Sequence, residues 1–233
     1  INYHDLNAQR SWGNPIAAGG TVLPTLIGIN ECKDEKFAGG WGFGTVNPDL
    51  YNSYDDDDQR KDGGYFEFCK NIKKLIPNAS YTPRYEDTGY FLLKYLPRQG
   101  GNSQCTGDKD LNYRNNLRVY RYAETLLNAA ELILRTGGDT AEAQNYLDQV
   151  RARAYRTTVE NLGAHKVVAN IDNVLEERHL ELYGEGKRFW DLVRSGKANE
   201  VLGSRGYKDN KKYLPIPSSE IDKSAGTLTQ NPY

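Results

Sequence analysis

The sequence predicts a mainly α-helical fold, in which a long region of irregular loops precedes a helical region that contains one hairpin. Residues 1–110 are rich in Gly, Pro, Asn and Asp, and their apolar runs are short. Clusters of these residues mark turns and loops. From residue 111 onward, apolar residues recur at steps of three and four, as along one face of an α-helix. We therefore divide the chain into 1–110 and 111–233, as parts of one incomplete domain.

The loop-rich region contains one strand candidate and one glycine-rich segment. Tyr90–Tyr95 is apolar and aromatic and lies between Gly89 and Pro97, which bound a short strand. Segment 39–44 has the sequence Gly-Gly-Trp-Gly-Phe-Gly. No predicted strand precedes it and no predicted helix follows, so it does not indicate a dinucleotide site. We expect its glycines to free the backbone around Trp41.

The helical region begins with two helices joined by a Gly-Gly-Asp turn, which predicts an antiparallel hairpin. The first helix is expected over 117–135, with Asn115 or the next residue as its cap. The second is expected over 140–155, with Asp139 or the first helical threonine as its cap.

Small residues at the expected helix crossing, Ala123, Ala130 and Ala143, are typical of a tetratricopeptide unit. Such units stack, and about three are needed for stability. This sequence contains one. We therefore expect the units that stack on it to lie in a missing amino-terminal half of the protein.

A third helix and an extended tail complete the chain. The helix is predicted over 171–194 and is loosened around Gly184–Gly186. The tail, Tyr213–Tyr233, contains three prolines, which exclude a continuous helix. One turn is expected in it, near Ser218–Ile221.

Charge and composition exclude several classes of function. The 30 basic and 31 acidic residues give a net charge of −1, so nothing indicates a nucleic-acid partner. No apolar run reaches the roughly 18 residues that span a bilayer, and no signal peptide is present. The chain starts at Ile1 and contains no Met, so we expect a processed or truncated product. The 17 Tyr and 3 Trp suit either a carbohydrate or peptide surface or a Tyr-rich fold with large loops.

Cysteine and histidine spacings predict no metal site and no cofactor. Cys32, Cys69 and Cys105 form no Cys-x-x-Cys pair. We favour three buried thiols over one disulfide and one remaining thiol. The three histidines are scattered and show no metal-binding spacing.

Acidic residues offer two possible sites, and we interpret both as structural. The run Asp55–Asp58 lacks the spacing of a calcium loop, which favours a solvated loop. Glu177 and Glu181 lie one helical turn apart, a separation that overlaps the carboxylate spacing of a retaining glycosidase. Basic residues at helical spacing surround them, however, and would keep both ionised. We therefore predict a protein that is not an enzyme.

Exposed loop aromatics are the candidate ligand contacts. Sugar rings present C–H patches that pack on flat aromatic faces, while their hydroxyls need fixed polar partners. Trp41, between two glycines, fits best, followed by Trp12 beside Gly13 and Asn14, and then Tyr51 and Tyr54 in an Asn- and Asp-rich loop. Trp190 lies in a helix and is expected in the core.

Four motifs in the helical region resemble the SusD/RagB family of Bacteroidetes surface lipoproteins. They are, in the family's order, Arg121-Tyr122-Ala123-Glu124, the helix 147–154 that contains Val150-Arg151-Ala152-Arg153-Ala154, the stretch from Glu176-Glu177-Arg178 to Asp191-Leu192-Val193-Arg194, and the tail Tyr213–Ile221 with the end Gln230-Asn231-Pro232-Tyr233. Residues 1–110 match loosely, at Trp41-Gly42 and at Asp58-Gln59-Arg60. The family's glycine before the last tyrosine is absent, as are its amino-terminal repeats and lipidated cysteine.

The resemblance implies a lipid-anchored protein on the outer face of the outer membrane. Such a protein binds an oligosaccharide or polysaccharide without cleaving it and delivers it to a SusC-like TonB-dependent transporter. The resemblance also implies that Arg178, Glu181, Arg188 and Asp191 tie helices and tail together by charge-assisted bonds. Two other functions stay open at this point: a helical-repeat adaptor for a protein segment and, more remotely, a glycoside hydrolase.

Overall fold

The computed structural model describes residues 9–14, 19–61, 69–78, 80–102 and 106–232, and the structural statements below refer to these residues. The α-helices in these ranges are α1 (Leu23–Ile27), α2 (Pro48–Ser53), α3 (Ile72–Leu75), α4 (Tyr122–Thr136), α5 (Thr140–Ala154), α6 (Ile171–Glu181), α7 (Arg188–Arg194), α8 (Ala198–Leu202) and α9 (Ser218–Lys223). The strands are β1 (Cys69–Asn71) and β2 (Tyr90–Leu92). Short 3₁₀ turns connect several of these elements. The predicted mainly α class is confirmed.

The chain forms two compact units, Ile1–Glu185 and Gly186–Tyr233. The compositional boundary predicted near residue 111 falls inside the first unit, where loops and helices pack on shared cores. The boundary between the units follows the break between α6 and α7, which the glycines near residue 184 predict. In the described residues, no helix combines the length and apolar character needed to cross a membrane.

Helices α4 and α5 form the predicted hairpin, and a buried apolar seam joins them. Leu127, Ala130, Ala143 and Leu147 are fully buried there, together with Val174 of α6. The two small alanines allow close approach of the helices, as their positions in the sequence predict. The tetratricopeptide character of the hairpin stays a prediction.

Helix α4 starts at Tyr122, five residues later than its apolar periodicity predicts. Arg121 is fully extended, and its side chain binds Glu181 and Glu185 of the segment at the end of α6. This long-range ion pairing holds the chain before α4 away from helical geometry. The predicted asparagine cap at 115 or 116 is therefore wrong, whereas the predicted Asp139 cap of α5 is confirmed.

Replacing Asp139 by alanine should destabilise the hairpin. The Asp139 carboxylate accepts a hydrogen bond of 2.8 Å from the Ala141 amide at the start of α5. Loss of such a cap costs about 0.5–2 kcal/mol, which we expect to measure in chemical denaturation. Asp139→Asn keeps an acceptor oxygen and is the matched control. Equal losses in Asp139→Ala and Asp139→Asn would argue against the capping explanation.

Strand β2 lies between two apolar cores. It pairs antiparallel with β1, with Phe91 opposite Lys70. Phe91 and Leu93 enter one core, which also contains Ile29 and Phe37, whereas Leu92 enters the other. Successive strand side chains point to opposite faces, so a strand with two buried faces must be apolar throughout. The predicted strand is thus confirmed over its first half, and residues 93–95 continue as a 3₁₀ turn.

The carboxyl-terminal tail contains a short helix where one turn was predicted. Helix α9 follows Pro217, and the chain then returns alongside itself. The Gln230 side chain bonds both the N–H and the C=O of Ile216, at 2.8 Å each, and the Asn231 amide donates to the Leu214 carbonyl. The Gln-Asn pair of the closing motif therefore holds the tail onto itself.

Candidate functional site

Three neighbouring aromatic rings form a surface on the first unit, which we call the aromatic surface: Trp12, Trp41 and Phe43. Trp12 and Trp41 are nearly parallel, with an interplanar angle of 18° and 5.9 Å between centroids. Phe43 meets Trp41 edge-on at 6.3 Å. Trp12 is 60% exposed and Phe43 is 48% exposed, whereas Trp41 between them is partly buried. The exposed rings offer flat apolar faces to solvent. Contiguous apolar patches of this kind on a protein surface mark sites of interaction or ligand binding.

Helix α1 holds the segment that carries two of these rings. The last carbonyl groups of a helix have no partner within the helix. Here the N–H of Trp41 donates to Thr25 at 2.7 Å, and the N–H of Phe43 donates to Leu26 at 2.8 Å. The intervening N–H of Gly42 donates to Gly28 at 2.7 Å. Backbone bonds therefore fix the segment and leave its aromatic side chains available to a ligand.

Two glycines make this arrangement possible. A Cβ atom on Gly40 would lie 2.5 Å from the Gly28 Cα and 2.7 Å from the Thr25 carbonyl oxygen, both backbone atoms that cannot move aside. Gly42 has φ +68°, a left-handed conformation that other residues rarely adopt. The glycines flanking Trp41 thus have the backbone role that the sequence predicts for them.

We expect Gly40→Ala to displace the aromatic segment. Because the added methyl meets backbone, the segment must move away from α1, at a cost of about 1–3 kcal/mol. Chemical denaturation should show this loss, and tryptophan fluorescence should report a changed environment of Trp41. Gly203→Ala is the matched control, since nothing lies within 4 Å of its added Cβ. If the two variants behave alike, close packing on α1 does not position the rings.

Trp12 is held by a separate turn. Ser11 and Asn14 exchange two backbone hydrogen bonds, and the Trp12 N–H donates to the Asp108 carboxylate at 2.9 Å. The Asp108 N–H in turn donates to the Arg10 carbonyl at 3.0 Å. The two tryptophans thus meet through contacts between segments that are far apart in sequence.

A cleft of about 590 Å³ opens beside Phe43. Its lining comes from segments 42–48 and 84–88 and includes Arg84, Tyr85 and Glu86. The Arg84 guanidinium lies 4.6 Å from the centre of the Phe43 ring and donates to the Trp41 carbonyl at 2.9 Å. The cleft and the aromatic surface therefore share Phe43 as a wall. A concave site with aromatic walls and a few polar groups is typical of small-molecule recognition.

The structure places the other two predicted contact residues in the core. Tyr51 is packed on Tyr90 with 4.2 Å between ring centroids, and the Tyr54 hydroxyl donates to the Leu180 carbonyl at 2.7 Å. Both side chains are buried. The segment is not the open loop that its composition predicts: Asn47 caps the short helix α2, and Tyr51 and Tyr54 pack in an apolar core. Tyr51 and Tyr54 therefore do not belong to the candidate site.

Sequence reasoning overlooked Phe43 and Tyr85. The signal for Phe43 was present, since it lies between two glycines just as Trp41 does. For Tyr85 the sequence contains no such signal, because only the fold brings its loop beside Phe43. The prediction that Trp190 is a core residue is wrong for this chain, because the ring is half exposed.

The paired glutamates of α6 belong to a buried ion cluster. Arg60 is completely buried, and its guanidinium contacts Asp58 at 2.7 Å, Glu177 at 2.6 Å and Glu181 at 3.1 Å. Arg151 also binds Glu177, at 2.7 Å. Glu181 receives two further guanidinium groups, from Arg121 and Arg153.

This environment fixes the charge of Glu181 and separates it from solvent. Burial alone would raise the pKa of its carboxyl group, but the guanidiniums of Arg60, Arg121 and Arg153 lower the pKa overall. A general acid needs a raised pKa and access to the glycosidic oxygen. Glu177 and Glu181 are both buried, so their position supports a structural role. Their basic partners Arg60, Arg121, Arg151 and Arg153 come from segments that are distant in sequence.

The first three residues of the acidic run Asp55–Asp58 are exposed, as the predicted solvated loop requires, but each has a partner. Asp55 accepts from the Tyr155 hydroxyl, Asp56 pairs with Lys61 at 2.8 Å, and Asp57 lies 3.1 Å from His165. Asp58 joins the buried ion cluster. Within the described part of the chain, no group of three or more His, Cys, Asp or Glu side chains is arranged to hold a metal ion.

Cys32 is a buried free thiol. Burial raises its pKa to about 11, and the nearby Asp34 carboxylate adds to the effect. The Cys69 side chain and Cys105 lie outside the described residues, so the expectation of three thiols stays a prediction for them.

Comparison with known proteins places this geometry in a family. Two solved structures of surface glycan-binding protein A from Bacteroides thetaiotaomicron, one in complex with laminarihexaose, are 44% identical to the chain with a TM-score of 0.86. They match 100% of this chain and 51% of their own length. A laminarin-binding SusD-like protein is 36% identical with a TM-score of 0.81, over 99% of this chain and 48% of its own.

Among curated relatives, SusD-like protein P2 of Formosa agariphila is 24% identical over 92% of this chain and 45% of its own length. The chain thus spans about half the length of the relatives it matches. The sequence profile of the SusD family matches residues 65–233. This match covers well over half of the chain, and the fold agrees over the whole of it, so the chain belongs to the SusD family.

Proposed function

We propose that this chain binds a neutral β-glucan of the laminarin type on the aromatic surface and does not cleave it. The observation that carries the proposal is the arrangement of Trp12, Trp41 and Phe43, whose segments backbone bonds hold beside a cleft. Flat ring faces suit the C–H patches of sugars, and the cleft supplies polar partners for hydroxyls. We infer a ligand of the laminarin type from the names of solved relatives that match the chain along its length at 36% and 44% identity.

The same surface favours a glycan over a protein segment as the ligand. A helical-repeat adaptor is expected to place its aromatic residues along a groove between helices. Here Trp41 and Phe43 lie on a loop that α1 supports, and Trp12 lies on a separate turn, so the aromatic surface is outside the α4–α5 hairpin. Among the alternatives left open by the sequence, the glycan binder therefore has the better structural support.

The wider role follows from the family and is also proposed. The protein would lie at the outer face of the outer membrane and pass its glycan to a SusC-like TonB-dependent transporter. The remaining half of the protein would stack on the hairpin, where Tyr122 and Leu132 of α4 are exposed.

Isothermal titration calorimetry of the full-length protein with a panel of neutral oligosaccharides tests the proposal. We expect laminari-oligosaccharides to bind, and cello- and malto-oligosaccharides to bind weakly. The glycosidic linkages of these three ligands differ, and with them the spacing of the sugar rings and the curvature of the glycan chain. The same mixtures should release no new reducing ends. Binding restricted to another glycan class would refute the assignment of a laminarin-type ligand. Release of reducing ends that Glu177→Gln abolishes would refute the proposal that the chain does not cleave its ligand.

A further inference from the structure

We infer that the cleft beside Phe43 extends the site and holds the continuing glycan chain, with Tyr85 as its outer stacking face. The inference rests on the proposed function and adds a subsite that only longer ligands contact. Phe43 is both the last ring of the aromatic surface and a wall of the cleft. A glycan chain lying across Trp12 and Trp41 therefore has a direct path into the cleft.

The walls of the cleft match an uncharged polyol. Tyr85 is 92% exposed and lines the cleft together with Phe43, so it offers a second ring to a sugar there. Arg84 and Glu86 supply one positive and one negative group from the same loop, so the cleft selects for neither acidic nor basic ligands. The hydroxyls of Thr45 and Thr88 donate to backbone carbonyls, at 3.3 Å and 2.7 Å, and keep acceptor capacity for a ligand.

The loop that carries Tyr85 is held in place before any ligand arrives. The Asp87 N–H donates to the Arg84 carbonyl at 3.0 Å, and the Gly89 N–H donates to the Asp87 carboxylate at 2.7 Å. Glu86 has φ +59°, a left-handed conformation that is uncommon for a residue with a side chain. Such backbone strain is found at ligand-binding segments, where it fixes a geometry that binding uses.

The size of the cleft also suits this role. Ligand sites in proteins commonly have volumes of about 300–1,000 Å³, and this cleft has about 590 Å³. It is therefore large enough to hold sugar units beyond those that cover the aromatic surface. Short oligosaccharides would occupy the rings alone, and longer ones would gain contacts in the cleft.

The test is the dependence of affinity on chain length. Laminari-oligosaccharides from the disaccharide to the octasaccharide are titrated by calorimetry into the full-length protein and its variants. In the unmodified protein, affinity should rise with length. In Tyr85→Ala the short ligands should bind as before, whereas the longest should lose about tenfold, the loss of one stacking face.

Two controls distinguish stacking from indirect effects. Tyr85→Phe keeps the ring face and should retain the affinity for long ligands. Tyr213→Ala removes another exposed tyrosine, in the tail and outside the lining of the cleft, and should change nothing at any length.

The possible outcomes separate this inference from the proposed function. A Tyr85→Ala effect that is equal at all lengths, or absent at all lengths, would overturn the subsite while leaving the binding function intact. Failure of the unmodified protein to bind any member of the series would overturn the proposed function and the inference with it. Because Tyr85 is almost fully exposed, its truncation should leave the melting temperature unchanged, which differential scanning calorimetry checks.

Discussion

Replacing both Trp12 and Trp41 by alanine is expected to lower the affinity for laminari-oligosaccharides about a hundredfold. Each ring face lost from a shallow site should cost on the order of 1–2 kcal/mol, which is roughly five- to thirtyfold in affinity. The two rings touch, with 5.9 Å between centroids, so their contributions are coupled. The double variant should therefore lose less than the product of the two single losses.

Calorimetric titration of the two single variants and the double variant measures this coupling. Tyr213→Ala again removes an exposed aromatic side chain outside the site and should bind like the unmodified protein. Melting temperatures should change little, because Trp12 is mostly exposed and backbone bonds hold the Trp41 segment. An unchanged affinity in the double variant, or a loss that merely follows a fall in stability, would place the glycan elsewhere in the protein.

Glu181→Gln should lower the free energy of unfolding by about 3–5 kcal/mol, the usual cost of removing one partner from a buried ion pair. Glu181 is fully buried and receives the guanidiniums of Arg60, Arg121 and Arg153. Glutamine has nearly the same shape but no charge. The variant therefore leaves Arg60, which is itself fully buried, with less compensating charge.

Chemical denaturation with Glu220→Gln as a control tests this expectation. Glu220 pairs with Lys223 on the exposed surface of α9, where such pairs contribute about 0–1 kcal/mol. The comparison separates loss of a buried charge from loss of any carboxylate. A similar small effect in both variants would mean that the buried cluster does not stabilise the fold in the way its geometry indicates.

The contribution of Glu181 should also depend on pH in a defined direction. Its folded-state pKa lies below the ordinary value of 4.5. A carboxyl group with a lowered pKa stabilises the folded state fully above its unfolded pKa, and this contribution is lost as the pH falls through the folded value. The stability difference between unmodified protein and Glu181→Gln should thus be largest near neutral pH and should shrink below about pH 4.5. A difference that stays constant on acidification would contradict ionisation as its source.

The sequence determined the elements that local physical chemistry specifies. The α4–α5 hairpin, its Asp139 cap and the break near residue 184 depend on residues within a few positions of each other, so periodicity and turn residues predict them. Trp41 could be singled out for the same reason, because its flanking glycines impose local backbone geometry. The family motifs in the helical region were likewise readable as short stretches, and the fold confirms the family they resemble.

The tertiary structure alone decided which side chains share a site and which face the core. The sequence around Tyr51 and Tyr54 has the composition of a surface loop, yet both side chains pack in a core with residues from distant segments. Arg60 meets Glu181 across 121 positions of sequence, and Trp12 meets Trp41 through turns that are anchored on separate segments. Burial and ion pairing depend on what the rest of the chain places nearby, and a local pattern carries no information about distant partners. The sequence could therefore nominate Trp12 and Trp41 singly, but only the folded chain brought them together with Phe43 and Tyr85.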